Sequence, residues 1–459
     1  MRIGFFTDTY HPTINGITYV VDSLKHHLEA EGHTVYVFCP ARTISASVIR
    51  ERTSEDDHII WIPSVKNGFF DTSDYALFFP PTILRKIQDL DLDIIHIFTP
   101  AQVGTLGVNA ASKYDIPFIV QHCTDLYEFV EDYPNVLPGI LALVNIVFPL
   151  SVKLQWRDII EIVKLQRPRL GRVKWSQDII KRALTMIYSR ADAVIALSRK
   201  SKVQLESWQD EIYFYDVTLM PNGVDAIPRP TKAQIQAFRQ RWGIESDDEV
   251  VGYVGRLGEE KNLPLLIEAF DVIGRERPHA KLIFVGDFDY RQTLEEMAAQ
   301  SCYPDRIIFT GSIPREELGV AYASLDVFAF PSLKDTQGWA IHEAAHASKP
   351  LILVDRELSE VMRDGENGYF ANNDPADMAA QVLRLLCNTE QRQQFGRRSK
   401  QLALRFTERN QVRKLIRLYE SVISKHNVAA QLPSEDRFGL LSSVLHRART
   451  ALGRSNDQE

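Results

Sequence analysis

The side-chain types needed to hold a sugar and a phosphate come together in FPSLKDTQGWAIHEAAHASKPLIL (Phe330–Leu353). An apolar strand ends at Pro331, a polar loop containing Gly338 follows, and a helix is expected to start around Trp339. Backbone N–H groups at a helix N-terminus form an anion site suited to a diphosphate. Asp335 precedes the helix and Glu343 lies about a turn into it, so both carboxylates can face one crevice and accept hydrogen bonds from sugar hydroxyls. The plainer alternative is that Asp335 caps the helix and Glu343 is solvated. In VGYVGRLGEEKNL (Val251–Leu263), a strand ends in a glycine-punctuated turn carrying Arg256, with Lys261 at the start of a helix. A guanidinium fork and an ammonium point charge can together neutralise a departing nucleotide diphosphate. The alternative is a surface turn whose charges pair with Glu259 and Glu260.

His122 follows a buried-looking strand in QHCTDLYEF (Gln121–Phe129), where its ring can reach a ligand or serve as a structural histidine. Asn15–Gly16 opens a helix in the first loop, and glycine there permits close backbone approach to a ligand, or marks an ordinary turn. His342-Glu343-Ala344-Ala345-His346 matches HExxH, which places two histidines on one helical face as in zinc peptidases. A third ligand would have to come from Glu357, Glu360 or Glu366, yet Pro350–Val354 reads as a buried strand and Ala344, Ala345 and Ala347 as packing inward. Asp91 and Asp93 are taken simply to precede the strand DIIHIF.

The elements that must position these residues alternate as parallel βα units. Strands are expected at Arg2–Thr7, Thr34–Phe38, Asp93–Phe98, Pro117–Gln121 and Ala193–Leu197 in the first half. In the second half they fall at Glu249–Val254, Lys281–Val285, Arg306–Thr310, Val327–Phe330, Leu351–Val354 and Gly368–Ala371. The turn-rich MPNGVDAIPRP (Met220–Pro230) separates the halves as a hinge. Ligands of doubly wound sheets sit beyond the strand carboxyl ends, so residues just after strands are the ones placed to reach them.

At 459 residues, with 45% hydrophobic and 25% charged, the chain has room for two large domains. A net charge of −7 argues against nucleic acid as a partner. Cys39, Cys123, Cys302 and Cys387 are scattered without a CxxC pair, as free thiols in a reducing compartment. The N-terminus begins directly with a strand, with no signal peptide, so the cytoplasm is expected. Val136–Val152 is nearly all apolar, but too short and too interrupted by Pro138, Asn145 and Pro149 to span a membrane. Residues 151–190 hold ten basic and three acidic side chains, about +7, leaving about −14 for the rest. The C-terminal Arg437–Arg454 is expected as a basic amphipathic helix. Two readings of the apolar and basic segments stand: contact with an anionic membrane through 136–190 and 437–454, or a hairpin packed on its own domain.

In order along the chain, the NGI loop, DIIHIF, QHCTD, ADAVIALS (Ala191–Ser198), MPNGVD, VGYVGRLGEEKNL and PSLKDTQGWAIHEAAHASKP resemble the retaining glycosyltransferases of family 4 over about residues 1–425. The resemblance implies an α/β chain of GT-B fold, with two Rossmann-like doubly wound domains facing across a cleft. The first, 1–225, faces the acceptor and carries an insertion at about 130–190. The second, 226–405, holds the nucleotide-sugar. Residues 406–426 return as a helix to the first domain, and 427–459 form a tail.

The resemblance further implies that Glu343 holds the ribose hydroxyls and that Asp335 binds the transferred sugar. Asp335 stands where the family more often has glutamate. Backbone groups of Gln337, Gly338, Trp339 and Ala340 would lie near the diphosphate. Arg256 and Lys261 would stabilise the leaving group, His122 would contact the sugar, and Asn15, Gly16, Asn222 and Ile313 would join the donor site. No metal or cofactor is implied, and no general base is assigned. The basic segment resembles membrane-surface enzymes that glycosylate diacylglycerol or phosphatidylinositol, since basic residues gain ~1 kcal/mol each near anionic lipid. The alternatives are a soluble or polysaccharide acceptor, a nucleotide-binding module without catalysis, and, outside the family, a zinc hydrolase.

Overall fold

The computed structural model describes residues 1–13, 15–66, 74–76, 80–125, 127–128, 156–165 and 172–430. The apolar run 136–152 and the tail 437–454 lie outside these residues. The strands of the first half are β1 (Arg2–Phe6), β2 (Thr34–Pro40), β3 (Ile59–Ile62), β4 (Ser64–Lys66), β5 (Asp74–Ala76), β6 (Ile94–Ile97), β7 (Phe118–His122), β8 (Ala193–Ala196) and β9 (Val217–Leu219). Seven of them form one parallel sheet in the order β3-β2-β1-β6-β7-β8-β9, while β4 and β5 pair antiparallel as a separate ribbon. The second half contributes β10 (Glu249–Val254), β11 (Ala280–Val285), β12 (Ile307–Gly311), β13 (Val327–Phe330), β14 (Leu351–Leu353) and β15 (Gly368–Phe370), all parallel, in the order β12-β11-β10-β13-β14-β15.

Every strand expected from sequence is present. Those not anticipated are the edge strands β3 and β9 and the short ribbon. β3 is only four residues long and β9 only three, too short for periodicity to register.

Both faces of each sheet are covered, which explains why the central strands are mostly apolar. In the first sheet, Phe6 stacks on Phe38 at 4.3 Å on one face, and Phe5 packs edge-on against Phe98 at 5.0 Å on the other. In the second, Tyr253, Phe284, Phe328 and Phe330 join the core of that half. Among the described residues, no helix is long and apolar enough to cross a membrane.

The helix Glu408–Ala430 begins in the second half of the chain and packs on the first sheet. Val412, Leu415, Tyr419 and Val422 are spaced to lie on one stripe and are buried with Ile3, Phe5 and Ile94. Within that interface the Tyr419 hydroxyl lies 2.6 Å from His96 Nδ1, and both side chains are fully buried. Burial pushes the His96 ring pKa down to about 3, against a side-chain hydrogen bond with Gln121 that raises it, so the imidazole is neutral. Tyr419→Phe removes the partner of the buried Nδ1 and is expected to destabilise the fold by about 1–3 kcal/mol, read from denaturant unfolding.

Candidate active site

The strand order reverses between β10 and β13, and a crevice opens at such a switch point beyond the carboxyl ends. The turn after β10 carries Arg256 and Lys261, and the loop after β13 carries Asp335, so two segments distant in sequence converge there. Lys261 Nζ donates to Asp335 Oδ1 at 2.7 Å, with both side chains mostly buried. Burial raises the Asp335 carboxyl pKa, but the Lys261 ammonium more than offsets this and holds it below the usual range. Asp335 therefore does not cap the following helix. The N-cap is Gly338, in the left-handed region at φ +67°, where an added Cβ would stand 2.5 Å from Ile341 Cδ1.

Arg256 lies over the Phe288 ring at 4.5 Å and pairs with Glu260. The expected alternative of pairing with a neighbouring acid thus applies to Arg256 and, at 3.7 Å from Glu260, to Lys261 as well, while Lys261 also reaches across the crevice to Asp335.

Glu343 is only 6% exposed, on the helix Trp339–His346. It accepts from the Tyr322 hydroxyl at 2.8 Å, and Arg315 Nη1 stands 3.7 Å away. Burial raises its pKa, and the hydroxyl and guanidinium reduce that effect without cancelling it. Tyr322 and Arg315 were not anticipated. They come from a separate turn and helix with no motif of their own, and only the fold brings them to Glu343. Arg315 also covers the Tyr19 ring at 4.6 Å, linking this carboxylate to the first helix of the other half.

The remaining expected residues fall into two groups. Gln337 and Asn222 meet: Asn222 N donates to Gln337 Oε1 and Gln337 Nε2 donates to Asn222 O, each at 3.0 Å. Gln121 Nε2 donates to Asn222 Oδ1 at 2.9 Å, so the 220–230 segment, β7 and the β13 loop are tied together. Trp339 packs with the first core, and Ala340 and Ile313 pack with the second.

His122, by contrast, is 1% exposed, with Nδ1 2.9 Å from the Tyr188 hydroxyl and its ring edge-on to Trp208. Burial lowers its pKa, and Nε2 has no partner among the described residues. It is joined to the crevice through its neighbour, since Thr336 Oγ1 donates to Cys123 O at 3.0 Å. Asn15 is a helix cap whose Oδ1 accepts from Ile17 N and Thr18 N at 3.0 Å. An added Cβ at Gly16 would meet nothing within 4 Å.

Among the described residues, no third potential ligand gathers with the HExxH pair. His342 and His346 are buried, and burial lowers both pKa values, to about 3 for His342. His342 sits edge-on to Phe406 at 5.8 Å. Among the described residues, the groups of three potential ligands are His27/Asp225/Glu408 and Asp247/Asp248/His279, neither of which includes this pair. Likewise, Asp93 accepts from Arg2 N at 2.6 Å, as a strand-edge residue.

Residues 14–226 match the family described as Glycosyltransferase Family 4, and residues 234–402 match Glycosyl transferases group 1. The alpha-monoglucosyldiacylglycerol synthase of Acholeplasma laidlawii is 27% identical over 398 residues, covering 85% of this chain and 89% of that one. A GDP-mannose-dependent alpha-mannosyltransferase of Mycolicibacterium smegmatis is 25% identical over 437 residues, covering 94% of this chain and 100% of that one. Among solved structures, Anabaena Alr3699/HepE in complex with UDP superposes with a TM-score of 0.64 at 16% identity, over 92% of this chain and 99% of that one; at this identity the likeness concerns the fold alone.

A carboxyl whose folded-state pKa lies above its unfolded-state value binds its proton more tightly when folded. Stability therefore falls as pH rises from the ordinary carboxylate range through the raised value. Glu343→Gln removes that titration. The ligand-free variant is expected to melt above wild type at neutral pH and to lose that advantage as pH falls towards the ordinary glutamate value of 4.5, read by thermal unfolding across pH.

Proposed function

The chain belongs to the family 4 glycosyltransferases, and from that premise we propose that it moves a hexose from a nucleotide-sugar of the UDP-glucose or GDP-mannose type to a membrane lipid such as diacylglycerol or phosphatidylinositol. Transfer proceeds with retention at the anomeric carbon and without a required metal. The observation that carries the reading is the meeting of Arg256, Lys261 and Asp335 at the switch point of the second sheet, with buried Glu343 on the next helix.

Charge develops on the leaving phosphate during transfer, and preplaced cations act most strongly there. Arg256 and Lys261 serve that role. Asp335 receives the transferred sugar, Glu343 the ribose hydroxyls, and the backbone of Gln337–Ala340 approaches the diphosphate. His122 contacts the sugar through its unpartnered nitrogen, while Asn15, Gly16, Asn222 and Ile313 complete the donor side. No side chain is assigned as general base; a leaving-phosphate oxygen takes the acceptor proton. Closure about the 221–230 hinge completes the site.

The lipid acceptor rests on the diacylglycerol glucosyltransferase relatives and on one surface feature. The helix Trp156–Leu165 turns Ile159, Ile160 and Val163 outward beside exposed Lys164. An outward apolar stripe next to a basic residue suits peripheral association with an anionic cytoplasmic membrane face. Within the basic segment, however, Arg182 pairs with Glu161 and Asp210, and Arg190 with Asp158, so part of the +7 serves internal packing.

The test is nucleotide release from UDP-glucose and GDP-mannose in EDTA, with and without anionic vesicles containing diacylglycerol or phosphatidylinositol. Glycolipid formed only with vesicles is the expected result. Transfer to a soluble acceptor without lipid would overturn the acceptor assignment, and loss of activity in EDTA would overturn metal independence. Glu343→Ala is expected to abolish transfer, and Arg256→Ala to lower kcat by about 10²–10³-fold.

A further inference from the structure

In the ligand-free crevice a third carboxylate sits between the two cations. Glu260 Oε1 accepts from Arg256 Nη2 and lies 3.7 Å from Lys261 Nζ. The Glu260 side chain is 9% exposed, and its Oε2 has no hydrogen-bond partner among the described residues. Its seat is made by Gly258, where a Cβ would stand 2.2 Å from Oε2 and 2.7 Å from Oε1. The backbone there is extended, with φ −96°, so glycine is required for space and not for conformation.

An ordinary surface pair at this i,i+4 spacing is solvated and weak. This carboxylate is instead buried against a bare Cα with one oxygen unsatisfied, an arrangement that stability alone does not favour. What it offers Arg256 and Lys261 is an anion at the point where a leaving diphosphate would bind.

We propose that Glu260 is a positioning residue that takes the place of the diphosphate before the donor binds, holding Arg256 and Lys261 ready and opposing the nucleoside diphosphate after transfer so that it leaves. This rests on the assignment of Arg256 and Lys261 to the leaving group. On donor entry the phosphates take over the cations, and Glu260 keeps its seat as a like charge beside them. Its repulsion acts on donor and product alike, limiting the grip of a site whose two cations would otherwise retain the product.

The experiment compares UDP and GDP binding by calorimetry, together with kcat and KM, in the full chain and in Glu260→Gln, Glu260→Asp and Gly258→Ala. Glu260→Gln is expected to bind the diphosphate about tenfold tighter, equivalent to about 1.4 kcal/mol. Its kcat is expected to fall as product release slows, and its donor KM to fall at least as far, because the repulsion removed acts on donor and product alike. Glu260→Asp keeps the charge and stays within about threefold of wild type in diphosphate affinity, a rescue that a purely packing role would not produce. Gly258→Ala, whose methyl displaces the carboxylate, shifts affinity in the same direction as Glu260→Gln. It also gives an independent reading should Glu260→Gln fail to fold. Unchanged or weaker diphosphate binding in Glu260→Gln or Gly258→Ala would overturn the proposal while leaving the function reading intact. Absence of UDP and GDP binding in wild type would overturn both.

Discussion

The ion pair between Lys261 and Asp335 is the contact on which the crevice depends. It joins the turn after β10 to the loop after β13, the two strands flanking the point where the order of the second sheet reverses. Both groups are mostly buried, so losing either would strand the other charge in a poorly solvated site. Asn262 adds to this tie, since its Nδ2 donates to Pro331 O at 3.2 Å. With the loop held, Gly338 takes its left-handed conformation and the following helix starts at a defined height, which in turn buries Glu343 beside Tyr322.

The same loop is where the two halves of the chain meet. Thr336 donates to Cys123 O, Gln337 pairs with Asn222, and Lys200 donates to Leu333 O while standing 3.6 Å from Asp355. Arg199 pairs with Glu360 at the edge of this contact. The segment that carries Asp335 is therefore shaped from both sides, and a shift of one sheet against the other would be felt directly at the carboxylate. The helix Glu408–Ala430 limits that shift from behind by packing on the first sheet, although it follows the second in sequence.

Electrostatics divide along similar lines. The second half gathers opposed charges in one crevice, Arg256 and Lys261 against Glu260 and Asp335, and burial strengthens the Lys261–Asp335 interaction most. In the first half, Arg182 and Arg190 lock two helices and a loop together through Glu161, Asp210 and Asp158. Among its exposed side chains are large apolar ones: Ile159, Ile160 and Val163 on one helix, with Ile212 and Phe214 on a loop.

Much of this was legible in the chain because it is local. Parallel strands buried on both faces must be mostly apolar, so β1, β6, β10 and β13 announced themselves. Asp335, Glu343, Arg256 and Lys261 were identifiable because they fall at those strand ends in motifs of fixed spacing. Short edge strands such as β9 were not, having too few residues to form a pattern. Nor did the chain distinguish between partners. Arg256 and Lys261 had Glu259, Glu260 and Asp335 within plausible reach, and only the reversal of strand order placed Asp335 against Lys261. His122 looked equally able to face a ligand or to be structural, and its bond to Tyr188 depends on a helix 66 positions away in the chain. The sequence by itself determined the fold class and the strand ends from which chemistry could be done, because periodicity and turn residues act over a few neighbours. Which charges pair, which are buried and what holds Glu343 were decided only by tertiary structure, because those energies depend on distance and solvent exclusion between segments that the order of residues does not reveal.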